Sequence, residues 1–154
     1  MTDEYWMRLA LEQAEIAASL GEVPVGAVVV CNGQVIARAY NLREHQKNAL
    51  YHAELLAIQA ACQTLRGWRL HQCELFVTLE PCSMCAGAIV NARIKRVVYG
   101  APDPKAGACG SVFNLFDYPL NHRPEVCAGV LQQEASQQLK DFFQQLRRKK
   151  ESSC

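Results

Sequence analysis

The chain is short of features that would take it out of the aqueous cell interior. No apolar run approaches the roughly 20 residues that span a bilayer, and the N-terminus lacks the charged, apolar and small-residue order of a signal peptide. These two absences predict a cytoplasmic protein with no membrane partner. Charge of either sign is in no excess: 16 basic and 15 acidic side chains leave a formal +1. That balance conceals an asymmetry, because residues 1–139 carry 11 basic and 13 acidic groups (−2) while residues 140–154 carry 5 and 2 (+3). The basic character is gathered at the C-terminal end. Internal repeats and low-complexity stretches are also missing, which excludes a solenoid or a tail-like chain.

What is present suits one ordinary core. Half of the 154 residues are apolar, and a domain of this length buries roughly 70% of its unfolded surface. Residues 1–154 are therefore expected to form a single domain. Eight cysteines would suggest disulfides in a small secreted protein, but this chain has enough apolar residues to fold without staples. Cys31, Cys62, Cys73 and Cys127 lie in apolar segments and read as small reduced hydrophobes. Cys154 belongs to the tail.

Hydrophobic periodicity sets the element order. Residues 3–20 repeat apolar side chains at helical spacing between Thr2 and Gly21. Two β-rich runs, 23–30 and 34–40, flank Asn32-Gly33, a strong hairpin signal. After a polar loop at 41–48, the sequence predicts helix at 52–65, strand at 74–79, helix at 83–93 and strand at 96–101. Residues 102–125 are rich in Gly, Pro and Asn and predict a long loop with at most a turn of helix at 111–116. A fifth strand at 126–131 and a basic helix at 133–150 follow, the latter with Ala135, Leu139, Phe142, Phe143 and Leu146 on its apolar stripe. Strands alternating with helices predict crossover connections. The fold class is α/β: a three-layer α/β/α sandwich around a five-stranded mixed sheet.

The chemistry gathers in two short stretches. In "LEPCSMCAGAIV", residues 79–90, Cys82 and Cys85 fall on one face of the first turn of a helix whose start is set by Pro81. Unpaired amides and the helix dipole there favour thiolate, which suits a metal or a redox pair. His52 and Glu54 decide between them, because they open the other helix that should begin at the same sheet edge. One imidazole and two thiolates fit catalytic zinc, which keeps a fourth position for water and brings its pKa to about 7. Glu54, not needed as a ligand, is placed to take the water's proton and return it to a substrate atom. The alternative is a closed structural zinc site with Cys109 or another cysteine as fourth ligand.

The sequence resembles the bacterial tRNA adenosine deaminase family almost end to end. The shared stretches are "EYWMRLAL", "EVPVGAVVV", "HAE", "TLEPCSMCAGA", "RVVYGAPDPKAGACGS", "NHR" and "DFFQQLRRKK". His-x-Glu followed by Pro-Cys-x-x-Cys is the known signature of zinc nucleobase deaminases. The resemblance implies a cytidine-deaminase-like fold, a homodimer and one Zn2+ per subunit on His52, Cys82 and Cys85. It implies hydrolytic conversion of the wobble adenosine of a tRNA anticodon to inosine, by attack of zinc-bound hydroxide at C6 with Glu54 as proton shuttle. It also implies that Asn41, Val25 and Ala53 lie near the base, and that Asp103, Lys105, Phe143 and Arg147 approach the anticodon backbone. The chain departs from the family before His-Ala-Glu, where Asn48 and Ala49 replace the usual Asp-Pro; no contact is carried over from residues 42–51.

The anticodon stem-loop is a reasonable partner on physical grounds, since sequence-specific RNA recognition targets unstacked bases. The basic terminal helix offers phosphate contacts and aromatic stacking, although at helical spacing at least one of Phe142 and Phe143 should be buried. His45 and His71 read as surface residues, and His122 as a loop brace or a substrate contact. A deaminase of free guanine or cytosine, a noncatalytic zinc-stabilised RNA-binding module, and a redox enzyme are the competing readings.

Overall fold

The computed structural model describes residues 1–152; Cys154, read above as tail, lies outside the described residues. Helix α1 (Asp3–Ser19) starts where the Thr2 side chain accepts the Tyr5 amide, 3.2 Å. Strands β1 (Gly26–Cys31) and β2 (Gln34–Tyr40) form the expected hairpin, with Cys31 opposite Gln34. Its two-residue turn needs positive φ twice, and Asn32 (51°) and Gly33 (76°) supply it. The remaining elements are α2 (Ala53–Leu65), β3 (Cys73–Leu79), α3 (Ser83–Asn91), β4 (Arg96–Ala101), β5 (Glu125–Ala128) and α4 (Gln132–Ser152).

The sheet runs β2-β1-β3-β4-β5. β1 pairs antiparallel with β2 and β3, whereas β3, β4 and β5 are parallel. The predicted mixed five-stranded sheet is present. Strand alternation sends Val28, Val30, Phe76 and Val98 to one face, where Trp6, Met7 and Ala10 of α1 cover them. Ala27, Val29, Leu75, Val77 and Val97 point the other way, onto Ala57 and Ala61 of α2 and Ala86, Ile89 and Val90 of α3. Small residues let α1 lie close on β1: a side chain at Gly26 would collide with the Ala10 carbonyl. Arg96 of β4 ties down the start of α1 through Asp3 (2.6 Å) while also reaching Glu74 (3.0 Å).

Several boundaries move. Val23, Pro24 and Val25 precede β1 rather than opening it; Asn41 donates its side-chain amide to the Val23 carbonyl instead, 3.3 Å. β5 ends at Ala128 because Gly129 (φ 83°) turns the chain into α4. In the long loop the short helix is a 3-10 turn at Leu115–Asp117, capped by Asn114 at the end of the predicted stretch. The expectation that Phe142 or Phe143 is buried fails: Phe142 is half-buried and Phe143 is 41% exposed. Ala135 is the residue of α4 that is fully covered among those described, because the C-terminal half of this helix runs past the sheet. No helix of the described residues is long and apolar enough to cross a membrane.

Candidate active site

Two helix N-termini meet beyond the carboxyl end of β3, the position at which open α/β sheets place their sites. His52 is the N-cap of α2 and Cys82 the N-cap of α3, both with extended backbone. Pro81 therefore stands one residue before the cap rather than inside the helix, and Cys85 is the third helical residue. Both sulfurs still sit at the amide-rich end.

His52 Nδ1 lies 3.7 Å from Cys82 Sγ and 3.6 Å from Cys85 Sγ. A tetrahedron drawn with ordinary zinc–nitrogen and zinc–sulfur lengths has a nitrogen–sulfur edge of about 3.6 Å. All three donors lie within 4.8 Å of one another, and among the described residues no other such group of His, Cys, Asp or Glu occurs. The three donors fit a zinc site. Cys109 stays out of it: its sulfur is not among the donor atoms that lie within 4.8 Å of one another. A closed site with Cys109 as fourth ligand is not what the chain builds.

The protons at this cluster are shared. The Cys85 thiol, hydrogen-bonded to Cys82, lowers the latter to about 4, helped by His52 and opposed by burial. Cys85 is raised far above the ordinary thiol range by Cys82, by burial and by Glu54, and His52 is raised by its hydrogen bond to Cys82. One thiolate thus exists without a metal, and the other sulfur keeps a proton that a metal would displace. Glu54 is buried at 4% exposure, and burial pushes its carboxyl up to about 7 against the pull of His52.

A cavity of about 220 Å³ opens on these groups, lined in part by Val25, Asn41, His52, Ala53, Glu54 and Cys82. Arg43, Glu80 and Asp103 form part of its wall. The residues expected near the base are thus brought together with the cluster. Lys105, Phe143 and Arg147 are not in that cavity. They line a second, shallower groove of about 640 Å³, in which Lys140 and Lys150 add positive charge and Leu139 and Leu146 give an apolar floor. Asp103 spends one carboxylate oxygen on the amides of Lys105 and Ala106 (3.0 and 3.2 Å), so it shapes the turn that carries Lys105.

Two buried carboxylates escaped the sequence reading. Glu80, 2% exposed, accepts the amides of Asp103 (3.0 Å), Cys109 (3.0 Å) and Ser111 (3.1 Å) and the Ser111 hydroxyl, which pins the loop after β4 to the pocket wall. Glu22, with no exposure, accepts the amides of Glu44 (3.0 Å) and His45 (2.6 Å) and the His45 ring at 2.9 Å. It clasps the loop before His52, so His45 is a bound residue rather than a bystander. The one available signal was a lone acid beside an apolar run, immediately before Pro-Cys in one case and Val-Pro-Val in the other. His122 braces its loop by donating to the Ile94 carbonyl at 2.6 Å.

A family model for MafB19-like deaminases matches residues 1–147. The tRNA-specific adenosine deaminase of Bacillus subtilis (strain 168) is 49% identical over 152 residues, covering 98% of this chain and 94% of that protein. This chain belongs to the tRNA-specific adenosine deaminase family. Among solved structures, one from work on A-to-I editing by tRNA:A34 deaminases at the wobble position of transfer RNA matches with TM-score 0.85 and 45% identity, over 88% of this chain and 99% of that one. A guanine deaminase from Bacillus subtilis matches less closely, with TM-score 0.65 and 35% identity over 80% and 82%. The five-stranded mixed sheet between two helix layers is the sandwich that the sequence pattern predicted and the deaminase fold that the resemblance implied.

Proposed function

We propose that residues 1–154 form one zinc-dependent deaminase domain that converts the wobble adenosine of a tRNA anticodon to inosine, acting as a homodimer in the cytoplasm. The observation that carries this reading is the pairing of a small pocket around Glu54 with a cationic groove beside it. At about 220 Å³ the pocket is smaller than the roughly 300–1,000 Å³ of ordinary small-molecule sites. It suits a single base flipped out of an anticodon loop while the backbone stays outside. The neighbouring groove, with Lys105, Lys140, Arg147 and Lys150, supplies the phosphate contacts that a free nucleobase would not need.

His52, Cys82 and Cys85 hold one zinc per subunit. When bound, the metal supplies Lewis acidity that makes water a nucleophile near neutral pH. Glu54 moves protons: with its carboxyl near 7 it can accept one and deliver it at the same pH, first to N1 of adenine and then to the departing amino group. Asn41 is held by the Val23 carbonyl (3.3 Å) and by the Arg43 amide (3.2 Å). Its side chain is thereby fixed on the pocket wall beside Val25 and Ala53, where it orients the base. Phe143 and Arg147 on α4, with Lys105 on its Asp103-shaped turn, meet the anticodon backbone.

The test offers purified protein an anticodon stem-loop with adenosine at the wobble position, alongside free adenosine, cytidine and guanine, and locates inosine by mass spectrometry. Inosine at the wobble position is expected. Uridine or xanthine as sole product overturns the substrate. Glu54→Gln should keep zinc and fold but lose about 10²-fold or more in rate, whereas a noncatalytic RNA-binding module would be unaffected by it.

A further inference from the structure

We propose that Cys31 and Cys73 are a reversible disulfide-forming pair that fastens β1 to β3 at the sheet end opposite the zinc ligands. The two residues are direct register partners on adjacent antiparallel strands. Partners of this kind hold their Cβ atoms about 4.5–5.5 Å apart on one face, next to the roughly 3.5–4.5 Å that a disulfide spans. Both side chains face the same core cluster, and both cysteines are free. Burial, with the neighbouring Cys31 thiol, pushes the Cys73 thiol up to about 12.

Access is built in on one side only. Cys73 is fully buried, whereas Cys31 is half-buried and borders, with Cys73, a solvent-open cavity of about 320 Å³ that Arg69 and His71 also line. Cationic Arg69 on the wall of that open cavity favours approach of an anionic disulfide to Cys31. The chemistry balances in two exchanges. The Cys31 thiolate attacks one sulfur of a low-molecular-weight disulfide RSSR, forming Cys31–S–SR and releasing RS⁻. Cys73 then gives up its proton, attacks the Cys31 sulfur and expels the second RS⁻. Two protein thiols are oxidised and RSSR is reduced to two RSH.

The position separates this event from the metal. Cys31 ends β1 and Cys73 begins β3, while the zinc ligands lie beyond the last residue of β3. Cys62 on α2 packs against the same cluster and is the competing partner.

The experiment incubates the zinc-loaded protein with oxidised glutathione and maps linkages by non-reducing peptide mass spectrometry. A Cys31–Cys73 link is expected in the wild type and in Cys62→Ala, with zinc content unchanged. It should be absent in Cys31→Ser. The linked protein should melt roughly 10 °C above its reduced form, as closure of a loop of this size implies, and dithiothreitol should reverse the shift. Linkage to Cys62, arrest at a glutathione adduct on Cys31, or a linked protein with an unmoved midpoint overturns the proposal.

Discussion

Glu54 and Glu80 are buried carboxylates on one pocket wall, yet their surroundings drive them in opposite directions. Burial is the largest influence on each. At Glu80 it is outweighed by the Ser111 hydroxyl and by the amides of Asp103, Ser111 and Cys109, so the carboxyl falls below its ordinary 4.5. Glu54 has no comparable set of donors and rises. One acid is held for its charge and the other for its proton. A group lowered in the folded state contributes stability above its unfolded pKa and loses it as pH falls through the folded value. Glu80→Gln aims an amide N–H₂ at backbone donors, and hydrogen bonds to a charged acceptor are worth about 1.5–3 kcal/mol each. The variant should therefore be less stable by on the order of 3 kcal/mol at pH 7. Denaturant titrations should show that gap shrinking once the pH drops below about 4.5; a gap that persists unchanged at low pH would remove the charge from this account. His52, Glu54, Cys82 and Cys85 were legible in the sequence because their spacing is local to two helix starts. Glu22 and Glu80 were not, because their donors come from loops 22 to 31 residues away.

At the scale of elements, periodicity located each helix and strand but not where α4 parts from the sheet. Apolar residues at helical spacing predict one buried stripe. In the fold, however, β4 and α1 cover only the first turns, around Ala135 and Leu139. Beyond them the same stripe, with Phe143 and Leu146, becomes the floor of the cationic groove. The apolar pattern thus continues while its surroundings change from protein core to an open groove. Helix α3 starts at Ser83, as its sequence predicts, but Cys82, read as part of the first turn, is the N-cap in extended conformation, with Pro81 one residue before it. The groove gives a second prediction. Arg147→Ala should raise KM for the stem-loop several-fold with kcat and melting midpoint nearly unchanged. It should also lower the slope of log affinity against log salt by about 0.7–0.9. An unaltered salt slope would separate α4 from RNA binding.

For the whole molecule, the sheet is what makes the site, since it brings residue 52 beside residues 82 and 85 by stacking α2 and α3 on one face. Those two helices present like dipole ends to each other, both positive. The hydrogen-bonded trio of imidazole, thiol and thiolate only partly offsets this, with one sulfur still protonated. His52, Cys82 and Cys85 would hold a divalent ion as neutral imidazole and two thiolates, tying both helix starts together in a way the unfolded chain cannot preorganise, so its binding free energy would add to folding stability. Stripping zinc with a chelator should abolish deamination and lower the melting midpoint by several degrees. Zinc should restore both, whereas magnesium, which prefers six oxygen donors, should restore neither. The loops tied by Glu22 and Glu80 are fastened independently of the donors, so the stripped protein should keep its far-ultraviolet circular dichroism spectrum at 25 °C. Full activity in protein shown by elemental analysis to be metal-free would overturn the assignment of His52, Cys82 and Cys85. Loss of the folded spectrum would show instead that the metal holds the sheet edge together, and not only the chemistry on it.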